Sequence, residues 1–203
     1  ISGHPLDDFS LSFTHFCNAR VGLFNVLAPL VNKELTFGGI IGEVDHRVSK
    51  NGKGWAIFQL EDFEDTFSFR IFGEEYLKFR HHLVENNFVH VKAFVRPGWM
   101  NKETGKLGDP RIQFIDFRQL QDAISTYAKK ITLKININQF EKEKLSNLSK
   151  TIKAHKGNHK LDIAFYELNE QIKLVMHSRK KKINISKELL EDLDKQQIHF
   201  KLN

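Results

Sequence analysis

Leu35-Thr36-Phe37-Gly38-Gly39-Ile40-Ile41-Gly42-Glu43-Val44 reads as a β-strand whose glycines suit a sharp bend, because a glycine inside a strand marks a corner or a close backbone approach. Working outward, the strand pattern recurs. A basic loop with Arg47, Lys50 and Lys53 follows, and then Gly54 to Leu60 and Thr66 to Phe72 flank the turn Glu61-Asp62-Phe63-Glu64-Asp65. Two such runs around a short polar turn form a hairpin, and its acids are expected to be solvated turn residues. Glu74 to Val84 puts Tyr76, Phe79, Leu83 and Val84 on one face at helical spacing. Phe88 to Val95 and Arg111 to Leu120 alternate as a fourth and a fifth strand, across a long loop containing Pro97, Gly98, Gly105 and Gly108.

Five short strands with a helix between the third and fourth follow the order of an OB-fold barrel, a plan whose outer face and loops commonly hold oligonucleotides. The helix is expected to close the barrel's open end. Parity then sorts the side chains. With Phe58 and Leu60 inward, Trp55, Ile57 and Gln59 point out; with Phe67, Phe69 and Ile71 inward, Thr66, Ser68 and Arg70 point out. Candidate nucleic-acid-binding residues are therefore Trp55 and Arg70 on the strands and Arg47, Lys50 and Lys53 in the first loop. On the other side the long loop supplies Arg96, Trp99, Lys102 and Lys106. Two tryptophans beside cations make a stacking platform for bases; alternatively they cover the barrel's mouth or meet a neighbouring domain.

After the fifth strand the rhythm changes. Ile131 to Ile137 alternates as a strand, and Asn138 is placed to cap a helix with Phe140, Leu145, Leu148 and Ile152 on one stripe, stopped by Gly157. Two strands follow, His159 to Leu168 and Gln171 to Met176, joined at Asn169-Glu170. Ser186 caps a second helix that buries Leu189, Leu190 and Leu193, and Ile198 to Leu202 closes the series. The order βαββαβ predicts a small ferredoxin-like α/β domain. The chain thus divides into a connecting segment (1–32), an OB-fold domain (33–125) and a C-terminal α/β partner-docking domain (126–203).

The 203 residues carry a formal net charge of +6, unevenly spread. Residues 126–203 hold 17 lysines and arginines against 9 acids, a net of +8, which leaves −2 for residues 1–125. A slightly acidic barrel must bind DNA through a local patch and stacking, because phosphate affinity scales with the cations that displace counterions. The densest run, Arg179-Lys180-Lys181-Lys182, is either a solvated connection or a contact to a nucleic-acid backbone or an acidic partner.

Chemistry other than binding finds little support. No apolar run approaches the roughly 18 residues that cross a bilayer and no signal segment opens the chain, so a cytosolic protein without membrane contact is expected. Cys17, alone, forms neither an internal disulfide nor a thiolate zinc site and is expected to be buried or idle. His155 and His159 have zinc-ligand spacing, yet Gly157 lies between them and no third ligand is evident, so they are expected to be exposed. No nucleophile with a base partner and no phosphate-cradling glycine loop is present. The chain is expected to need no cofactor or metal and not to be catalytic.

Several stretches resemble a known family, the alpha subunit of bacterial DNA polymerase III. Ile1-Ser2-Gly3-His4-Pro5-Leu6-Asp7-Asp8 is similar to the segment that precedes its OB domain. Gly39-Ile40-Ile41, Arg47, Lys50-Asn51-Gly52-Lys53, Phe58-Gln59-Leu60-Glu61-Asp62 and Ile71-Phe72 match its OB core in type and spacing. Ile131-Thr132-Leu133, His155-Lys156-Gly157 and the terminal strand resemble its last domain. The resemblance implies a non-catalytic C-terminal fragment of a replicative polymerase, a nucleotidyltransferase in its parent form, without the polymerase active site or the clamp-binding peptide; the start at Ile1 agrees with a fragment. It implies that the barrel contacts single-stranded template DNA. It also implies that the last domain docks the clamp-loader tau subunit, rather than reading DNA a second time, with other replisome subunits met through the parent chain. Phe165, Tyr166, Arg179 and Phe200 are the available partner-binding anchors, since aromatics and arginines carry most interface energy. An RNA-binding barrel of the anticodon-binding type and a pure interaction scaffold are the alternatives.

Overall fold

The computed structural model describes residues 3–100, 105–139, 141–167 and 172–203. Lys102, Phe140 and the Asn169-Glu170 junction lie outside the described residues. Cα packing divides the chain into two units, Ile1–Ala123 and Ile124–Asn203.

In the first unit a helix, α1 (Ser10–Phe16), precedes strands β1 (Glu34–Val48), β2 (Gly54–Glu61) and β3 (Thr66–Phe72), helix α2 (Gly73–Phe79), and strands β4 (Phe88–Arg96) and β5 (Arg111–Gln119). The five strands form one antiparallel sheet in the order β3-β2-β1-β4-β5. β1 is shared: Glu34–Ile40 pairs with β4 and Ile40–Val48 with β2, with a register shift between Ile41 and Val44. Such an extra-residue irregularity bends a strand and lets one long element serve both halves of a curved sheet. Gly39 lies at the changeover, where a Cβ would come within 2.4 Å of the Glu61 carbonyl oxygen. β1 runs four residues beyond its expected end. Asp45 to Val48 pairs with Gly54 to Ile57, so the basic segment begins as hairpin and only its tip is loop.

Phenylalanines meet one another across the concave side, among buried valines, leucines and isoleucines. Phe58 and Phe69 stack at 5.4 Å, Phe69 meets Phe114 at 5.9 Å, and Phe114 meets Phe117 at 5.3 Å. Offset and edge contacts at these separations suit the ring quadrupoles. The segment before β1 enters the same core, with Phe24 between Phe37 (4.6 Å) and Phe69 (5.0 Å). Phe69–Phe114 contact brings the two sheet edges, β3 and β5, to face one another, an arrangement consistent with an OB-like plan; no β3–β5 ladder joins them among the described residues. α2 covers the opening, burying Tyr76 and Phe79. Its helical period stops there: a 3-10 turn, Arg80–His82, follows, so Leu83 is buried but Val84 is exposed, contrary to the expected stripe.

The acidic turn also differs from expectation. Asp62 is buried: its Oδ2 accepts the Val21 amide at 2.8 Å, and its Oδ1 accepts the Glu64 and Asp65 amides at 3.0 Å each. It ties the N-terminal segment to the hairpin instead of facing water. Cys17 is half-buried, and burial pushes its thiol up to about 12, the neighbouring Arg20 opposing and Asp62 adding to the shift.

The second unit follows a short helix α3 (Ala123–Tyr127) and comprises β6 (Lys130–Asn136), α4 (Lys142–Ala154), β7 (Lys156–Glu167), β8 (Ile172–His177), α5 (Lys187–Lys195) and β9 (His199–Leu202). The βαββαβ order stands, but the ferredoxin-like arrangement does not. The sheet runs β8-β7-β6-β9, with β6 and β7 adjacent and parallel, whereas a split plan would place β8 between them. α4 bridges the neighbouring strands β6 and β7, and β8, antiparallel to β7, takes the edge. Ser186 caps α5 as expected, accepting the Leu189 amide, and Leu189, Leu190 and Leu193 are buried. Asn138 does not cap α4: it lies in a 3-10 turn and donates to Glu167 Oε1 at 2.9 Å, while Glu141 occupies the cap. Leu145 is exposed. Gly157 lies within β7, where a Cβ would stand 2.5 Å from the Asn184 nitrogen, so it allows a close backbone approach and does not terminate the helix. No helix among the described residues is long and apolar enough to cross a membrane.

Candidate nucleic-acid interface

Alternation along β2 and β3 turns Ala56, Phe58, Leu60, Phe69 and Ile71 into the core and leaves the other parity outside. On that outer side, register aligns Arg47, Trp55 and Phe72 in one row across β1, β2 and β3. The Arg47 guanidinium lies 5.3 Å from the Trp55 ring centroid, and Trp55 stacks on Phe72 at 5.4 Å with planes 19° apart. Arg47 is held by Asp45, to which its Nε donates at 2.7 Å. Trp55 is therefore half-buried between neighbours and is not freely exposed; Phe72, 55% exposed, offers the open ring. The next row places Ile57 between Asp45 and Arg70.

Beyond β3 this surface continues into a groove of about 760 Å³ whose lining includes Arg70, Phe72, Glu75 and Arg111. Glu75, from α2, accepts the Phe114 amide at 2.9 Å and so satisfies an edge donor of β5. Burial raises its pKa, opposed by the Phe114 hydrogen bond and by Arg111. Arg111 in turn lies 4.6 Å from the Trp99 centroid, and Trp99 is 74% exposed. Arg96 is the register partner of Arg111; its Nε donates to Gln113 Oε1 at 2.7 Å and its guanidinium covers Phe94.

Of the candidate residues, Arg47, Trp55 and Arg70 thus share one face. Trp99 and Arg96 gather on the far side of the groove, with Phe72 and Arg111 between the two tryptophans. Lys50 and Lys53 are exposed at the β1–β2 turn, where the Ser49 amide donates to the Lys53 carbonyl at 2.9 Å. Lys106 is exposed in the β4–β5 connection. Phe72 and Arg111 were not among the candidates, although parity places Phe72 on the same face as Arg70.

The expected partner anchors do not form one patch. Tyr166 lies in register with Lys173 on one face of the second sheet, whereas Phe165 aligns with the buried Ile135 on the other. Phe200 pairs with Leu133 on β9, at the opposite sheet edge from β8, and Arg179 is exposed after β8. What the fold does expose on edge strand β8 is Leu174 and Met176 on the side of Phe165, and Val175 on the side of Tyr166. His155 and His159 are half-buried, unlike the expectation: His155 Nε2 meets Asp192 Oδ2 at 3.0 Å and His159 Nδ1 meets the Ile183 carbonyl at 3.1 Å. Among the described residues no group of three or more His, Cys, Asp and Glu side chains is arranged to hold a metal ion.

Residues 131–203 match the family model for the DNA polymerase III alpha subunit, C-terminal domain. The chain is 25% identical over 166 residues to DNA polymerase III subunit alpha of Saccharopolyspora erythraea, a match covering 77% of this chain and 13% of that protein. It is 30% identical over 95 residues to the protein of the same description from Borreliella burgdorferi, covering 45% of this chain and 8% of that one. The chain therefore spans only a small part of these relatives' length. A solved structure from Leishmania major Friedlin, whose description names an aspartyl-tRNA synthetase, aligns at a TM-score of 0.30 and 14% identity over 46% of this chain and 18% of that one, a likeness too slight to bear on function. Residues 131–203 are thus similar to the C-terminal domain of the DNA polymerase III alpha subunit, and over 77% of its length the chain is similar to part of a DNA polymerase III alpha subunit.

Proposed function

We propose that this chain is a non-catalytic C-terminal part of a replicative DNA polymerase, in which an OB-fold unit holds single-stranded DNA and the C-terminal unit docks another replisome component. The observation that carries the DNA reading is the Arg47–Trp55–Phe72 row, leading through Arg70 to Arg111 and Trp99. Stacked rings with flanking guanidiniums match what sequence-tolerant single-strand binding needs: a π-face for each base and cations for the backbone. The net charge of −2 on this half makes stacking, rather than bulk electrostatics, its main source of affinity.

The docking reading rests on β8. Leu174, Val175 and Met176 are exposed on an edge strand, and apolar side chains beside unpaired strand edges mark interaction surfaces. From the family resemblance we assign the clamp-loader tau subunit as the partner, with Phe165 beside this edge as a further anchor.

Titration of a labelled oligothymidylate into the purified chain tests the DNA reading. One stacked base is worth about 1–3 kcal/mol, so Trp55→Ala is expected to weaken binding by roughly tenfold at low salt. Equal affinity of variant and parent would reject the platform.

A further inference from the structure

Alternation in the second unit divides its sheet into two unlike faces. Ile131, Leu133 and Ile135 are buried on the side of the α4 and α5 core residues, while Lys130, Thr132 and Lys134 emerge on the opposite side. Register carries this outer face across the sheet. Thr132 neighbours Asp162 and Lys201, Lys134 neighbours Ala164 and His199, and Tyr166 neighbours Lys173. Among the described residues no helix covers the result, a concavity of about 700 Å³.

We propose that this open face, through Lys130, Lys134, Tyr166, Lys173, His199 and Lys201, is a second surface for single-stranded nucleic acid, in addition to the barrel face. Its acid, Asp162, is already committed. Asp162, 5% exposed, takes Lys130 Nζ at 3.3 Å and His177 Nδ1 at 2.8 Å. Lys134, Lys173 and Lys201 have no acidic partner among the described residues and line the same concavity. Like charges gathered on one concave surface raise its potential, and a polyanion relieves it by displacing counterions.

The chemistry favours nucleic acid over an acidic peptide. Tyr166 supplies a ring among the cations, and the small side chain of Ala164 leaves room beside it for a base. Among the described residues the large aliphatic and phenyl side chains lining this face are the exposed Val175 and the half-buried Phe200, on opposite edge strands of the sheet and too few to seat the buried anchors on which peptide affinity depends. A base, by contrast, needs only a π-face, and flexible lysines follow phosphates of irregular spacing. The net charge of +8 on residues 126–203 gives this face long-range attraction as well.

The test uses the full chain and a fluorescein-labelled oligothymidylate at low salt, with Lys134→Glu plus Lys201→Glu introduced into the parent and into a Trp55→Ala, Phe72→Ala background. All four proteins are checked by circular dichroism and thermal unfolding. In the background lacking the barrel platform, residual binding is expected, and the two charge reversals lower it about tenfold or more while flattening the salt slope by about 0.7 for each phosphate no longer neutralised. Tyr166→Ala weakens that residual binding several-fold, and Tyr166→Phe preserves it. Unchanged affinity on charge reversal, with binding lost only in the barrel variants, would overturn this proposal and leave the barrel reading intact. Loss of affinity for a polyglutamate peptide but not for the oligonucleotide would also overturn it, reassigning the face to an acidic protein segment.

Discussion

Asp62 holds Val21 across 41 residues of sequence, its buried carboxylate accepting the Val21 amide at 2.8 Å while its other oxygen caps the β2–β3 turn. Removing the acceptor leaves three backbone donors unpaired, of which the Val21 amide is buried, and an unmade buried hydrogen bond costs about 1–3 kcal/mol. Asp62→Ala is therefore expected to destabilise the first unit by about 2–4 kcal/mol in urea unfolding, with Asp62→Asn losing less. A change below about 0.5 kcal/mol would show that the turn and the N-terminal segment do not depend on it.

The Glu75 to Phe114 hydrogen bond works differently, because burial penalises the carboxylate that makes it. Glutamine keeps an acceptor for the amide and has no charge to bury. Glu75→Gln is expected to match or exceed the parent at pH 7, while Glu75→Ala loses about 1–2 kcal/mol. The sign of the pH dependence follows. A raised folded pKa means that the native state keeps the proton longer, so this stabilising effect is present below the unfolded value and fades as pH rises through the raised one. Thermal midpoints across that range should fall less with rising pH in Glu75→Gln than in the parent.

Asp162 has the opposite sign. Burial by itself would raise its pKa, but hydrogen bonds and charge from His177 and Lys130 together outweigh burial and hold it below the usual carboxylate range. A depressed folded pKa contributes stability above the unfolded value, about 3.9, and loses it as pH falls through the folded one. Asp162→Asn should therefore flatten the acid limb of the second unit's unfolding profile below about pH 4, read by thermal melts. An acid limb identical to the parent's would mean that the Lys130 and His177 ion pairs contribute nothing to folding.

Much of this was legible in the sequence. Thr66–Phe72 reads as a strand with its present bounds because every second residue is apolar and a turn precedes it. The same period put Trp55 and Arg70 on one face. Legibility ended where partners outside the local stretch decide the outcome. Asp45 to Val48 pairs beyond the core with both faces wet, so no apolar alternation marks it as strand. Gly157 looks like a helix stop, yet its role is set by Asn184, which lies 27 positions away in sequence. Split and unsplit sheets share the order βαββαβ, so the position of β8, and with it the exposure of Leu174 and Met176, could not be read from element order. The lysine face of the second sheet is visible strand by strand at Lys130 and Lys134, but Lys173 and Lys201 join it only through register.

The central claim is that single-stranded nucleic acid lies on the aromatic faces. Photocrosslinking the full chain to an oligonucleotide carrying 5-iodouracil, followed by mapping of adducts by mass spectrometry, tests this most directly, because the photoproduct forms with rings in stacking contact. Adducts are predicted at Phe72, Trp55 and Trp99 in the first unit and at Tyr166 in the second, with those in the first unit lost from the Trp55→Ala, Phe72→Ala protein. Adducts confined to other positions, or undiminished in that protein, would contradict the account.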